Sequence, residues 1–306
     1  MNKIFVTGGH GFLGTFLIEF LKHNNHKVTS PTKKECDLTN ANALQNYSQD
    51  KYDLIFHLAA WTQAGDFCLR HPGEQWLINQ KINTNTLNWW QEDQPQAKLI
   101  FMGTSCSYSP DCRLIEDNYM IGEPIDSLYT YAMTKRMLLQ GARAINQQYG
   151  LEYLCTVPST LYGPGYHTDG RQMHFIFDLV RKIIRGKLYD EEVILWGDGE
   201  QRREIVHTKD FITALIYLSM HEKNDIINIG AGYDKTIREF AGIISSLVDF
   251  DENKIIYDVS KYVGAKSKKL EIDKLLSIYP EYTENLTNIE DGIKSVIDWF
   301  KKNKAV

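Results

Sequence analysis

Apolar residues in this chain recur in short runs separated by longer amphipathic stretches, and that alternation predicts strands interleaved with helices. The first run, Lys3 to Thr7, passes through the glycines Gly8, Gly9, Gly11 and Gly14 into the amphipathic stretch that ends near Asn25. Short runs follow at Lys27 to Thr29 and Asp53 to Leu58, with a helix expected between them over Asn40 to Tyr47. Pro72 to Trp90 reads as a long helix whose apolar positions, among them Trp76, Ile78, Ile82 and Leu87, suit a core or a subunit contact. Leu99 to Met102 reads as a buried strand closed by Gly103, and Tyr153 to Val157 as another. Between these two strands lies a helix that stops at Gly150, a residue suited to the C′ position. Up to this point the pattern implies an α/β fold of the Rossmann type, with a doubly wound parallel sheet.

The pattern changes after the punctuated exit PSTLYGPG, Pro158 to Gly165. His167 to Gly186 is polar, then helical, and carries Arg171, Arg181, Lys182 and Arg185. Trp196-Gly-Asp-Gly begins a turn leading to Arg202 and Arg203, while His207 to Met220 and Ile226 to Ile229 suggest one more helix and strand returned to the sheet. The remainder, to Val306, reads as helical and lysine-rich.

Two stretches carry chemistry. A glycine-rich turn between a first strand and a first helix lets backbone approach a pyrophosphate whose charge the helix N-terminus stabilises. An acid would be expected about 20 residues beyond such glycines to hold ribose hydroxyls for NAD. Ser30, Pro31, Thr32, Lys33 and Lys34 stand there instead, which favours the 2′-phosphate of NADP and leaves NAD possible in principle. Leu99 to Lys135 is the second stretch. Thr104 falls at the carboxyl end of its strand, where open α/β sheets place ligands, and Tyr131 and Lys135, four apart, share one helix face. An adjacent ammonium is expected to lower the phenol pKa, so that Tyr131 exchanges a proton while a hydroxyl such as Thr104 holds a substrate oxygen during hydride transfer.

Composition narrows the class. Among 306 residues, 34 Lys and Arg against 39 Asp and Glu leave a net charge of −5, which argues against a dedicated nucleic-acid surface. No apolar run is long enough to span a membrane, nor is there a secretory leader, so a cytoplasmic location is expected. Five cysteines without zinc-ligand spacing argue against a structural metal or a disulfide framework.

TGGHGFLG (Thr7 to Gly14), HLAA (His57 to Ala60), Thr104 with Tyr108, YAMTK (Tyr131 to Lys135), YGPG and WGDGEQRREIVHTKD together resemble the extended short-chain dehydrogenase/reductases, the NAD-dependent epimerase/dehydratase family, over nearly the whole chain. Within that group the sequence is most similar to the GDP-L-fucose synthases. The resemblance implies an NADPH-dependent epimerase-reductase acting on a GDP-4-keto-6-deoxyhexose or similar GDP-sugar, with a homodimer as the assembly. It implies catalytic roles for Thr104, in place of the family serine, and for Tyr131 and Lys135, with Cys106 as epimerisation base and His174 as acid. Cofactor contacts are implied at Gly8, Gly11, Phe12, Leu13, Gly14, Lys33, Asp37, Leu38, Leu58, Ala59, Ala60, Asn79, Tyr131, Lys135 and Pro158. Substrate contacts are implied at Thr160, where the family usually has Asn, and at Arg181, Trp196 and Arg203. A cofactor domain over 1–164 and about 205–233 is expected, with a smaller, mostly C-terminal nucleotide-sugar domain over about 165–204 and 234–306. Alternatives are a redox-neutral nucleotide-sugar epimerase, acting at carbon 4 or at carbons 3 and 5, a 4,6-dehydratase, disfavoured by Ser105 and Cys106 where Asp-Glu would stand, and a dinucleotide-binding scaffold without catalysis.

Overall fold

Six of the apolar runs lie side by side in one parallel sheet. In the computed structural model, which describes residues 1–261 and 266–303, β1 (Lys3–Thr7), β2 (Lys27–Thr29), β3 (Leu54–His57), β4 (Lys98–Met102), β5 (Tyr153–Pro158) and a later strand, Asp225–Ile229, have the order β2-β1-β3-β4-β5-225–229. The chain first steps outward from β1 to β2 and then to the opposite side at β3. Loops leaving β1 and β3 diverge there, opening the crevice where doubly wound sheets bind ligands. Apart from the edge strand β2, the strands are almost wholly buried because helices cover both faces.

Those helices are α1 (Phe12–His23), the short α2 (Phe67–Arg70), α3 (Pro72–Asp93) and α4 (Tyr129–Tyr149). Helix α4 ends on Gly150 at φ 74°, a left-handed conformation that glycine adopts without a Cβ penalty. Residues 40–47 do not form the expected helix; only Gln45–Tyr47 makes a 3₁₀ turn. The Thr39 amide and hydroxyl donate to Asp37 Oδ1 at 3.0 and 2.8 Å, and the Asn42 amide donates to Asn40 Oδ1 at 3.1 Å. Short polar side chains that capture nearby amides compete with helical hydrogen bonds.

A second core forms beyond β6 (Thr160–Tyr162). It gathers α5 (Phe175–Tyr189) and β7 (Val193–Trp196), then β8 (Arg202–Arg203), β9 (Ile205–His207), α6 (Thr208–His221) and β10 (Asp225–Ile229) return the chain to the main sheet. After β11 (Lys235–Thr236), α7 (Ile237–Val248), β12 (Ile255–Asp258), α8 (Asp273–Ile278) and α9 (Ile289–Lys302) complete the described chain. The carboxyl-terminal quarter is thus less uniformly helical than expected, since β12 pairs in parallel with β7. Helices α5, α7 and α9 surround the second core, whereas Leu270, Ile272, Leu275 and Tyr282 pack into the first. Residues 262–265 and 304–306 of that expected helical remainder lie outside the described residues.

Helix α1 crosses the first turn so closely that a Cβ on Gly14 would collide with the Gly8 carbonyl and lie 2.5 Å from the Gly9 Cα. Both obstacles are backbone. Gly14→Ala is therefore expected to cost about 1–3 kcal/mol of stability through overpacking and to weaken dinucleotide binding. Urea unfolding and fluorescence titration with NADPH check this; unchanged midpoint and affinity would contradict it.

Candidate active site

The crevice at the β1/β3 switch is a cavity of about 330 Å³ lined by Gly8, Gly11, Lys33, Asp37, Leu38, Leu58, Ala59 and Ala60, with His10, Pro31 and Trp61 among the remaining lining residues. Gly8 has φ 68°, and a Cβ there would stand 2.7 Å from the Ala59 amide nitrogen. Glycine thus admits two loops to the same narrow space. No side chain caps the first turn of α1, and no acid occupies that turn, so its amide groups are suited to an anion. Among the described residues, these features fit a dinucleotide pyrophosphate. At the end of β2 Ser30 donates to the Val6 carbonyl at 3.0 Å, and exposed Lys33 lines the cavity. Asp37 is turned to its local contacts with Thr39.

Three expected cofactor residues have other side-chain surroundings. The Phe12 ring packs against Phe16, Tyr166 and Phe177, joining α1 to the second core. Leu13 packs against the first core. Asn79, buried in α3, accepts from the Trp61 amide at 2.9 Å and donates to the Trp61 and Gln75 carbonyls at 2.9 and 2.8 Å. Its amide shapes the cavity wall from behind. Pro158 ends β5, and Thr160 begins β6.

His57 shows how the wall is fixed. The Ala59 amide donates to Thr7 Oγ1 at 3.2 Å, Thr7 Oγ1 lies 2.8 Å from His57 Nδ1, and His57 Nε2 lies 3.4 Å from Asn83 Oδ1. The network assigns the proton to Nε2, with Thr7 donating to Nδ1. Burial, with the Lys135 ammonium nearby, pushes the His57 pKa down to about 3, so its imidazole is neutral.

Thr104 is held at the end of β4. Its amide donates to the Tyr119 hydroxyl at 3.2 Å, and its Oγ1 accepts from the Cys106 amide at 3.3 Å. A Cβ on Gly103 would stand 2.8 Å from that Tyr119 hydroxyl, which explains why a glycine precedes Thr104. The Thr104 hydroxyl is close enough to the Tyr131 phenol to favour its ionised form, and Lys135 Nζ lies 6.0 Å from the Tyr131 ring centroid. The three residues predicted to converge do so.

Their electrostatics correct one expectation. The Tyr131 pKa is raised, first by burial and then by Cys106 and Cys68, with the Thr104 hydroxyl opposing. Lys135 does not overcome desolvation; burial instead brings its own pKa down to about 8. A raised phenol pKa keeps Tyr131 protonated, the state required to give a proton to a developing alkoxide.

Cys106 is partly accessible beside this group, and Lys268 Nζ approaches its Sγ to 3.8 Å. Lys268 also acts electrostatically on His174; burial within the cleft, His167 and Lys268 together lower the His174 pKa. His174 as a residue is exposed to solvent. Arg203 is partly buried, and desolvation lowers its pKa. Arg181 pairs with Asp178 at 2.8 Å on α5, and Trp196 is 60% exposed.

Sequence reasoning missed Lys268, Tyr119 and Cys68 at this site. Lys268 falls within the stretch Lys266 to Lys269, which reads as a solvated charge run; only folding brings it to Cys106 across 162 positions.

The fold and cavity define a dinucleotide-dependent enzyme of the Rossmann type. Residues 4–230 match the model of the NAD dependent epimerase/dehydratase family, and the chain belongs to that family. It is 28% identical over 309 residues to GDP-L-colitose synthase of Yersinia pseudotuberculosis, covering 99% of both chains. With GDP-L-fucose synthase 1 of Arabidopsis thaliana it is 28% identical over 312 residues, covering 98% of this chain and 94% of the relative. A GDP-L-fucose synthetase from Naegleria fowleri bound to NADP superposes with a TM-score of 0.88 at 24% identity, covering 99% and 93% of the two chains. That likeness concerns the fold.

Because Lys135 is buried and its pKa falls from 10.5 to about 8, its charged form costs the folded state about 3 kcal/mol below pH 8. The cost fades as pH rises from 8 towards 10.5, where the unfolded chain also loses the proton. Lys135→Met is expected to raise thermal stability at pH 7 while removing turnover, with the stability gain shrinking at higher pH. Calorimetry across that range checks the sign; a destabilised variant would contradict it.

Proposed function

We propose that this chain is an NADPH-dependent epimerase-reductase acting on a GDP-4-keto-6-deoxyhexose or a similar GDP-sugar. The observation that carries the reading is that Cys106 and Lys268 lie beside Thr104 and Tyr131 at the carboxyl end of the parallel sheet, the same end at which the dinucleotide cavity opens from β1. Full-length similarity to proteins named for GDP-sugar synthesis supports the substrate class. The NADP named with the Naegleria structure, and Lys33 without a ribose-binding acid at the end of β2, support the cofactor.

In this reading Cys106 takes a proton from carbon beside the 4-keto group, and the C–H electron pair moves onto the ketone oxygen as an enolate. A proton returns to the opposite face of that carbon. His174 holds the acid role assigned by resemblance, and the Lys268 ammonium is a second donor at the same site. Bound NADPH supplies hydride to carbon 4. Tyr131 gives its proton to the carbon-4 oxygen, Thr104 orients that oxygen, and Lys135 binds the cofactor and replenishes the proton. Arg203, Arg181, Trp196 and Thr160 hold the nucleotide sugar.

The proposal assigns residues 1–164 and about 205–233 to the cofactor lobe, and 165–204 with 234–306 to the substrate lobe, with 270–286 serving as its brace against the first core. It includes a homodimer, supported by exposed Trp76 and Leu77 on α3 and Met137 on α4, and a cytoplasmic location, supported by five free cysteines. Among the described residues no helix is long and apolar enough to cross a membrane.

Tyr131→Phe is expected to slow NADPH oxidation by roughly 10²–10⁴-fold while leaving solvent deuterium exchange into the sugar. Cys106→Ser is expected to suppress that exchange. Near-parental oxidation in the first variant refutes the reductive assignment, and parental exchange in the second refutes the epimerising one.

A further inference from the structure

We propose that Glu204 is a positioning residue whose carboxylate clasps the segment bearing Lys268 to the strand bearing Arg203, and so sets the Lys268 ammonium beside Cys106. The inference rests on the reading of Cys106 as a reacting group, but its geometry stands independently.

Glu204 is 1% exposed, between β8 and β9. Its Oε2 accepts from the Leu270 amide at 2.9 Å, and its Oε1 accepts from the Gly232 amide at 2.9 Å. A Cβ at Gly230 would stand 2.5 and 2.7 Å from the two carboxylate oxygens, so the loop after β10 supplies a cradle that only glycine leaves open. Four residues upstream of Leu270, the Lys266 carbonyl accepts from the Arg202 amide at 2.8 Å. Residues 266–270 are therefore pinned to residues 202–204 at both ends, with Lys268 and Arg203 in the middle of the two facing segments. Lys268 and Arg203 are thus carried on two segments held together by a carboxylate that does not itself line the cavity.

Ionisation matters because both clasping contacts are amide donors. A carboxylate accepts from both; a protonated acid turns one oxygen into a competing donor. Burial raises the Glu204 pKa to about 7, against the opposing pull of its backbone donors and Lys269. Asp210, Tyr233 and Tyr282 also face this region, and the two phenols, pushed upward by burial, stay neutral near pH 7. The clasp is complete above about pH 7 and loosens as pH falls through it.

The test uses the full chain and needs no sugar. Lys268 Nζ lies 3.8 Å from Cys106 Sγ, so the rate of iodoacetamide labelling of Cys106, located by peptide mass mapping, reads the Lys268 position. Glu204→Gln, which presents an amide donor where an acceptor is needed, is expected to slow labelling roughly threefold to tenfold, with NADPH affinity by fluorescence unchanged. Lys268→Met should show the same loss, and the double variant no further loss. The ratio of parental to Glu204→Gln labelling should fall towards one below pH 7. Parental labelling in Glu204→Gln, or additive losses in the double variant, overturns the proposal. If Glu204→Gln does not fold, Glu204→Asp, which keeps the charge but withdraws it by one methylene, is read in the same way, and parental labelling there overturns the proposal. Slowed labelling in a protein that turns over no GDP-sugar upholds the clasp and refutes only the functional reading.

Discussion

Removing the Lys135 ammonium from water is costly, and the surrounding side chains reflect it. Lys135 sits on α4 with 4% exposure, and nearby Cys155 opposes the effect of burial. Burial and that same charge keep His57 neutral, which allows His57 to accept from Thr7 and donate to Asn83 in linking β1, β3 and α3. The cavity wall and the proton-transfer group therefore share one electrostatic constraint. A less buried lysine would be easier to fold but would lie farther from the Tyr131 phenol, a trade-off common where function requires a destabilised site.

Desolvation also changes the role of Tyr131. In water an adjacent ammonium would favour phenolate. Here burial dominates, so the phenol keeps its proton, which suits reduction because the alkoxide formed by hydride transfer must be protonated. The neighbouring Cys106 and Lys268 occupy the same cleft with a different polarity: a nucleophilic sulfur and a cation. In the proposed reading, proton abstraction and proton donation fall to two side-chain groups around one substrate position.

Much of this was legible where local residue order determines geometry. The Gly8 to Gly14 spacing anticipated the tight β1–α1 crossing, and Tyr131 and Lys135 were assigned to one helix face because four residues make about one turn. Features set by distant contacts were not legible. Lys268 resembled surface charge, and the polar run at 40–47 concealed side-chain-to-amide turns rather than a helix. Asn79 holds the Trp61 backbone of the cavity wall, whereas the Phe12 ring turns into the second core. Motif position locates a residue along the chain; packing decides which way its side chain faces.

The central claim joins a 2′-phosphate-compatible dinucleotide site to reduction of a 4-keto GDP-sugar. Its most direct test is consumption of reduced nicotinamide, followed by absorbance, when the parental protein receives freshly prepared GDP-4-keto-6-deoxymannose with NADPH or with NADH. The account predicts stoichiometric oxidation with a clear preference for NADPH and a reduced, epimerised GDP-sugar product. No oxidation with either cofactor, together with redox-neutral interconversion of a nucleotide sugar, would contradict it.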